Sequence, residues 1–154
     1  MNEVRSQYLE DYLVKLSDRQ RAKIKNITAD YFCSDKNNAN ICSELVLQGE
    51  KTATCGMKYW YESGLGQMPQ VGNLQIVTDW DGNPTSIIEI TEIIECKFSE
   101  VTEDFAALEG EGDKSLNWWR KAHWNYFEKE CQAQGINPSE DMTLVLEKFK
   151  VVYP

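Results

Sequence analysis

The spacing of apolar residues predicts three helices in the first third of the chain. Residues 3–16 place leucine and tyrosine side chains at helical intervals, and Ser17 can cap a second helix that runs to about Tyr31. Residues 39–48 repeat the helical pattern, and Gly49 is a natural point for that helix to end. We therefore expect residues 1–35 to form a helical N-terminal extension.

The middle of the chain changes to a strand pattern. The stretch NLQIVTDWDGNPTSIIEITEIIECKF carries β-branched runs on both sides of DWDGNP. The Asp81-Gly82 pair favours a tight hairpin turn, because glycine tolerates a positive φ angle. The second run is partly continuous and partly alternating, which is typical of a strand in a small barrel, and it is expected to end near Phe98.

One further helix and one further strand complete the pattern. Residues 114–134 show apolar positions near a 3.6-residue period, and Gly135 can end that helix. Residues 142–152 read as a closing strand. The order of helices, hairpin strands, helix and strand predicts one α+β domain over residues 1–154, with a predominantly antiparallel sheet.

Composition narrows the class of protein. The length of 154 residues fits one domain, and no apolar run approaches a membrane span or a signal core. The five cysteines form no C-x-x-C pair and His123 is the only histidine, so neither a metal nor a cofactor is expected. We expect a reduced, cytoplasmic protein.

The charge is acidic and uneven. The net charge is −9, and residues 89–113 hold nine acids against the single base Lys97. This balance argues against tight binding of a long polyanion, but it leaves room for a nucleoside or a short single strand in a local pocket. The basic run RQRAKIK at residues 19–25 is more typical of a solvated helix face than of a phosphate contact.

The stretch GEKTATC places a lysine and a threonine three residues apart, at Lys51 and Thr54. The two side chains share a face in a turn or a first helical turn, and they point to opposite faces in a strand. Because the threonine needs a nearby base, we expect a turn-like conformation here, in which burial lowers the pKa of the lysine. A phosphate-binding loop is excluded, because Glu50 stands where that motif needs a glycine directly before the lysine.

Three segments in a fixed order carry a family resemblance. GEKTAT, VGNLQIVTDWDGNPTSIIEIT and FAALEGEGDKSLNWWRKAHWNYF together resemble an ASCH (activating signal cointegrator homology) domain over about residues 40–152. The resemblance implies a small antiparallel or mixed β-barrel related to the PUA domain, with helices around it, a cleft at one side and a role in RNA metabolism. Some members are similar to nucleoside amidohydrolases that remove an acetyl group from cytidine, and others are reported as ribonucleases.

The resemblance also implies a site. The family's G-x-K-x-x-T pattern falls on Gly49, Lys51 and Thr54, and a glutamate before the late helix maps best to Glu111, with Glu109 as the second choice. We expect the crowded acids of residues 100–113 to raise one another's pKa, as suits a general acid or base, although an acidic loop without function is the alternative. We expect the neighbouring Gly110 and Gly112 to let the backbone bend closely around a ligand.

Aromatic and basic side chains are candidates for substrate binding. Tyr59 follows the lysine–threonine stretch, and Trp80 and Trp119 could stack on a base, although core packing is the alternative for Trp119. Arg120 could contact a phosphate, although an exposed helix arginine is the default. For His123 we expect a packed or hydrogen-bonded structural role, since no triad motif accompanies it.

The leading hypothesis is a hydrolase of nucleoside or RNA metabolism, amidohydrolase-like on an acylated pyrimidine nucleoside. Thr54, assisted by Lys51, would attack the amide carbonyl, and Glu111 would shuttle protons. The alternatives are an RNA-binding module without catalysis and a ribonuclease that uses the same cleft. Cys55 and Gly56 follow Thr54, whereas the smaller amidohydrolases carry an arginine shortly after the threonine. This difference argues against assigning their substrate, acetylated cytidine, to this protein.

Overall fold

A computed structural model describes all 154 residues. Its N-terminal helices are α1 (Glu3–Leu13) and α2 (Asp18–Ala22), and Ser17 begins α2 with a capping box that involves Gln20. The expectation that the second helix reaches Tyr31 is wrong. The helix ends at Ala22, and Ile27–Asp30 form the strand β1, whose inner and outer side chains alternate.

Five strands form one mixed sheet. The strands after β1 are β2 (Ala53–Met57), β3 (Leu74–Thr78), β4 (Pro84–Lys97) and β5 (Thr143–Tyr153). Their order is β1-β3-β4-β5-β2, and only the β1–β3 pair is parallel. The sheet curls into a half-barrel with β1 and β2 at its edges, which confirms the predicted α+β class.

Helices cover the curled sheet. They are α3 (Lys36–Leu47), α4 (Lys58–Glu62), α5 (Glu103–Glu109) and α6 (Leu116–Ala133), with a short 3-10 helix at Phe98–Glu100. The sequence pattern did not predict α5, which begins at a Thr102 cap, carries acids in its first turn and buries Phe105 and Ala106. None of the helices combines the length and the apolar character that crossing a bilayer requires.

The side chains of β2 point to opposite faces of the strand, and only one of these faces packs into the main core. The largest apolar cluster lies between β2, β5, α5 and α6, and it contains Ala53 and Met57 together with Trp119 and Phe127. Because strand side chains alternate, Thr54 faces the other way. Another apolar cluster lies elsewhere, where tyrosines of α1 pack against Tyr153 of β5.

Candidate functional site

Lys51 is a buried ammonium group. It lies just before β2, and its Nζ donates to the Ala53 carbonyl oxygen at 2.9 Å, to Glu109 Oε1 at 3.1 Å and to Glu111 Oε2 at 3.1 Å. Burial alone would lower the pKa of Lys51, but the charges of Glu109 and Glu111 outweigh it and raise that pKa. The expected lowering is therefore wrong, and Lys51 holds its proton instead of accepting one from Thr54.

Glu109 is the buried anion at the end of α5. Its side chain is 2% exposed, and while Oε1 accepts from Lys51, Oε2 accepts from the indole Nε1 of Trp119 and from the Cys55 thiol at 3.4 Å. His123 Nε2 also lies 3.1 Å from Oε2. Burial would raise the pKa of Glu109, but Lys51 and His123 together hold it well below its usual range. Both oxygens of this carboxylate therefore have their partners inside the protein.

His123 takes the hydrogen-bonded structural role that the sequence analysis favoured. Its ring stacks on Trp119 with centroids 4.2 Å apart, and Nδ1 lies 2.9 Å from the Trp119 carbonyl oxygen. Because a carbonyl and a carboxylate oxygen only accept hydrogen bonds, this position of the two ring nitrogens favours the doubly protonated imidazolium. Burial opposes this charge, but Glu109 outweighs it and raises the pKa of His123.

Glu111 is the part of the cluster that reaches solvent. Its side chain is 17% exposed, and it lies between Gly110 and Gly112, whose φ angles are 71° and 59°. A Cβ atom at Gly110 would lie 2.3 Å from the Glu50 carbonyl oxygen, and one at Gly112 would lie 2.2 Å from the Trp118 ring. Both glycines therefore let the loop pack closely against Glu50 and Trp118, and the expectation that they also bend the backbone around a ligand stays a prediction.

Two thiols surround the other oxygen of Glu111. Cys42 Sγ in α3 lies 3.4 Å from Oε1, and Cys33 Sγ, in the loop before α3, lies 3.7 Å from it. The two sulfur atoms are 3.3 Å apart. Sequence reasoning did not place these cysteines in the site, because they lie 78 and 69 residues from Glu111 and no spacing motif joins them.

Thr54 lies in a different environment from the one expected. It is the second residue of β2, so the turn-like conformation predicted for residues 51–54 is wrong, and Lys51 donates no hydrogen bond to its hydroxyl. Its direct partner across the sheet is Glu147 of β5. Glu147 is half-buried, and burial together with the charge of Glu109 raises its pKa to about 7. Sequence analysis also missed this residue, which only strand register reveals.

The remaining candidates lie apart from this cluster or inside the core. Tyr59 on α4 is 40% exposed, Trp80 packs on Tyr31 with ring centroids 4.7 Å apart, and Trp119 is 1% exposed. Arg120 is exposed and lines a surface cavity of about 390 Å³. Neither that cavity nor one of about 630 Å³ on α3 includes Lys51, Thr54 or Glu111. The structure thus joins Lys51, Glu109 and Glu111, with Trp119 behind them.

Comparisons with known proteins agree with this architecture. The crystal structure of an ASCH domain from Lactobacillus crispatus JV V101 is 54% identical, covers 100% of this chain and 97% of its own, and superposes with a TM-score of 0.96. The protein EF3133 from Enterococcus faecalis V583 is 27% identical over 96% of this chain and 89% of its own, with a TM-score of 0.79. The hypothetical protein PH0355, at 15% identity and a TM-score of 0.53 over 84% of this chain and 100% of its own, shares the fold.

The family follows from a separate comparison. No functionally curated protein matches the chain, but the model of the ASCH domain family matches residues 28–153, from the second residue of β1 to the last residue of β5. The chain therefore belongs to the ASCH domain family.

Proposed function

We propose that this protein hydrolyses the acyl amide of a modified pyrimidine nucleoside, free or within a short single-stranded RNA. ASCH domains are generally associated with RNA binding, which supports the class of ligand. The observation that carries the proposal is the pairing of Thr54 with Glu147, because it places a carboxyl group with a pKa of about 7 opposite a hydroxyl group. Directly opposed residues in an antiparallel pair have Cβ atoms about 5 Å apart, so the two side chains are neighbours on the same face of the sheet.

Glu147 is the general base in this scheme, in place of Lys51. A base works best when its pKa lies near the working pH, and Lys51 holds its proton too tightly to serve. As the Thr54 oxygen attacks the amide carbonyl, its proton passes to Glu147 and then to the departing amine. Water activated by Glu147 hydrolyses the acyl-threonine, which returns the Thr54 hydroxyl and releases a carboxylic acid.

Lys51 and Glu111 position and polarise the site. The Lys51 ammonium lies 2.9 Å from the carbonyl oxygen of Ala53, which directly precedes Thr54 in β2. The same ammonium fixes one oxygen of Glu111 and so keeps this carboxylate at the partly exposed end of the cluster. Glu109 and Trp119 support this arrangement from the core, and Tyr59, Trp80 and Arg120 remain the candidates for contacts with the nucleoside.

The charges favour an amide over a phosphodiester. Lys51 and His123, the two basic side chains of the cluster, already lie against carboxylates, so neither is free to neutralise a phosphate. A phosphodiester at Thr54 would also be repelled by the negative charge of Glu147 in its ionised form. Ribonuclease activity at this place would therefore lack the cation that its transition state needs.

The test is incubation of the purified protein with acylated pyrimidine nucleosides and with plain short RNAs, read by mass spectrometry. We expect acyl loss from a nucleoside, intact oligonucleotides, and at least a 100-fold lower rate in Thr54→Ala and Glu147→Gln proteins. Thr28→Ala, which removes an exposed hydroxyl in the edge strand β1, is the matched control and should keep full activity. Cleavage of plain RNA, or binding without any product, would overturn the proposal in favour of a ribonuclease or a binding module.

A further inference from the structure

We propose that Cys33, Cys42 and Glu111 form a binding site for a thiophilic divalent cation, with Zn²⁺ as the best fit. The inference does not rest on the proposed hydrolysis, although both use Glu111. The sequence analysis expected no metal because the cysteines lack a zinc-finger spacing. The fold nevertheless gathers the three donor atoms from the loop after β1, from α3 and from the loop after α5.

The distances between the donor atoms suit a tetrahedral cation. The two sulfur atoms are 3.3 Å apart, and Glu111 Oε1 lies 3.4 Å from Cys42 Sγ and 3.7 Å from Cys33 Sγ. In a tetrahedral site with Zn–S bonds of about 2.3 Å and Zn–O bonds of about 2.0 Å, neighbouring donors lie about 3.5–3.8 Å apart. A cation could therefore bond to all three atoms after shifts of a few tenths of an ångström.

The surroundings prepare Glu111 as a ligand. Lys51 donates to Oε2, and this contact turns Oε1 towards the two thiols. Such a neighbour that fixes one carboxylate oxygen is a common feature of metal sites. On binding, the two thiols would release two protons as one divalent cation enters, so the net charge of this buried region would not change.

The site has one open position. Cys42 is buried, Cys33 is half-buried, and the Glu111 side chain is 17% exposed. Three protein ligands with access to solvent are the pattern of zinc sites that keep a fourth position for water or a small ligand. Two thiolates and one carboxylate favour Zn²⁺ over Mg²⁺ or Ca²⁺, which prefer oxygen ligands alone.

A second trio of donors, Cys55, Glu109 and His123, is less suitable. Both oxygens of Glu109 already accept hydrogen bonds from buried donors, among them Lys51 and the Trp119 indole. His123 Nε2 and the Trp119 indole both lie against Oε2, the oxygen nearest Cys55, so a cation there would have to displace the indole contact and any proton on Nε2 together. Glu111 Oε1, in contrast, contacts only thiols, whose protons a metal can replace.

The test is titration of the reduced, full-length protein with Co²⁺, followed by competition with Zn²⁺. We expect one equivalent of Co²⁺ to give the thiolate charge-transfer absorption and the visible bands of a tetrahedral site, and Zn²⁺ to abolish both. Cys33→Ser and Cys42→Ser should each weaken Co²⁺ binding at least about 10-fold. Cys96→Ser is the matched control, because Cys96 is half-buried in β4 and belongs to neither trio. This variant should bind Co²⁺ as tightly as the wild type.

Two results would overturn the inference. One is a folded wild-type protein that gives no thiolate absorption with Co²⁺, including the case in which the two cysteines pair as a disulfide and the reduced form still takes up no metal. The other is Co²⁺ binding that survives Cys33→Ser, the variant at the half-buried position, whose fold circular dichroism would verify. Thr54→Ala leaves all three ligands in place, so it should bind Co²⁺ normally whether or not hydrolysis occurs.

Discussion

At the scale of single residues, the protein concentrates charge in a place where water is nearly absent. Lys51 and Glu109 have side chains that are 1% and 2% exposed, and each has several partners inside the protein. The energetic cost of burying such a pair is offset only while every partner remains. The integrity of this cluster is therefore a condition for stability as well as for any chemistry at Glu111.

The first prediction concerns Glu109→Gln. The change leaves the Lys51 ammonium and the His123 imidazolium without their shared counter-charge, and we expect the free energy of unfolding to fall by about 3–5 kcal/mol. Urea denaturation measures this loss. Glu62→Gln removes a carboxylate from an exposed pair with Lys58 and should cost less than about 1 kcal/mol. Equal losses in the two variants would show that burial does not strengthen the cluster.

The second prediction concerns the pH dependence of Glu147→Gln. The pKa of Glu147 is raised from 4.5 to about 7 in the folded protein, so ionisation of this group destabilises the fold above pH 4.5, and the penalty is complete only above pH 7. We expect the substitution to raise the free energy of unfolding by about 1–3 kcal/mol at pH 8, and by much less at pH 5. Urea titrations of both proteins at the two pH values measure the difference. A gain that is the same at both pH values would contradict the raised pKa.

At the scale of elements, the turn between α5 and α6 decides where the carboxylates lie. Gly110 lets α5 end with a left-handed residue, so Glu109 remains in the core and Glu111 comes out towards the two thiols. The backbone of Glu50 lies against this glycine, which ties the turn to the segment that carries Lys51.

The third prediction concerns Gly110→Ala. The new Cβ would lie 2.3 Å from a backbone oxygen, and because backbone cannot move aside cheaply, we expect a loss of at least about 2 kcal/mol in stability. Gly64→Ala is the control, since Gly64 has a φ of 80° but no atom within 4 Å of the new Cβ, and it should cost about 1 kcal/mol from backbone strain alone. Thermal unfolding compares the two. Similar losses would mean that the loop adjusts freely and does not fix Glu111.

The sequence predicted the long elements well and the short ones poorly. The long helix α6 and the strands β4 and β5 carry enough apolar positions for their period to be visible. The four residues of β1 and the seven of α5 are too few for a period to emerge, and their states depend on pairing with β3 and on packing of Phe105.

The same limit explains the candidate site. The resemblance to ASCH domains, carried by GEKTATC and the acidic loop, was sufficient to predict that Lys51 and Glu111 meet. Glu147 and the thiols of Cys33 and Cys42 enter the site only through strand register and helix packing across long stretches of chain. The spacing of residues along the sequence does not predict such long-range contacts.

At the scale of the whole molecule, the net charge of −9 limits which nucleic acids can bind. The exposed basic residues at 19–25 lie in and just after the short helix α2, far along the chain from the acidic segment at 89–113. A contact with a phosphate backbone would depend on local basic residues, such as this patch or Arg120, because electrostatic attraction over the whole surface is unfavourable.

The fourth prediction tests that patch. Replacing Arg19, Arg21, Lys23 and Lys25 by glutamine should weaken binding of a fluorescent single-stranded oligouridylate and make its salt dependence shallower, since fewer counterions are released. Fluorescence anisotropy at several salt concentrations measures both effects. Hydrolysis of a free acylated nucleoside should be unchanged. If the variant and the wild type showed the same affinity at every salt concentration, the patch would have no part in RNA binding.

The longest strand pair in the sheet joins segments that are far apart in the chain. Residues Ile87–Lys97 of β4 pair with Thr143–Tyr153 of β5. Along the chain, α5 and α6 separate the two strands. During synthesis, β4 would leave the ribosome well before its partner exists, and β2 would wait for the same strand. The half-barrel therefore cannot close until β5 has emerged, and we expect this long-range pairing to form late and to leave apolar strand surface uncovered until then.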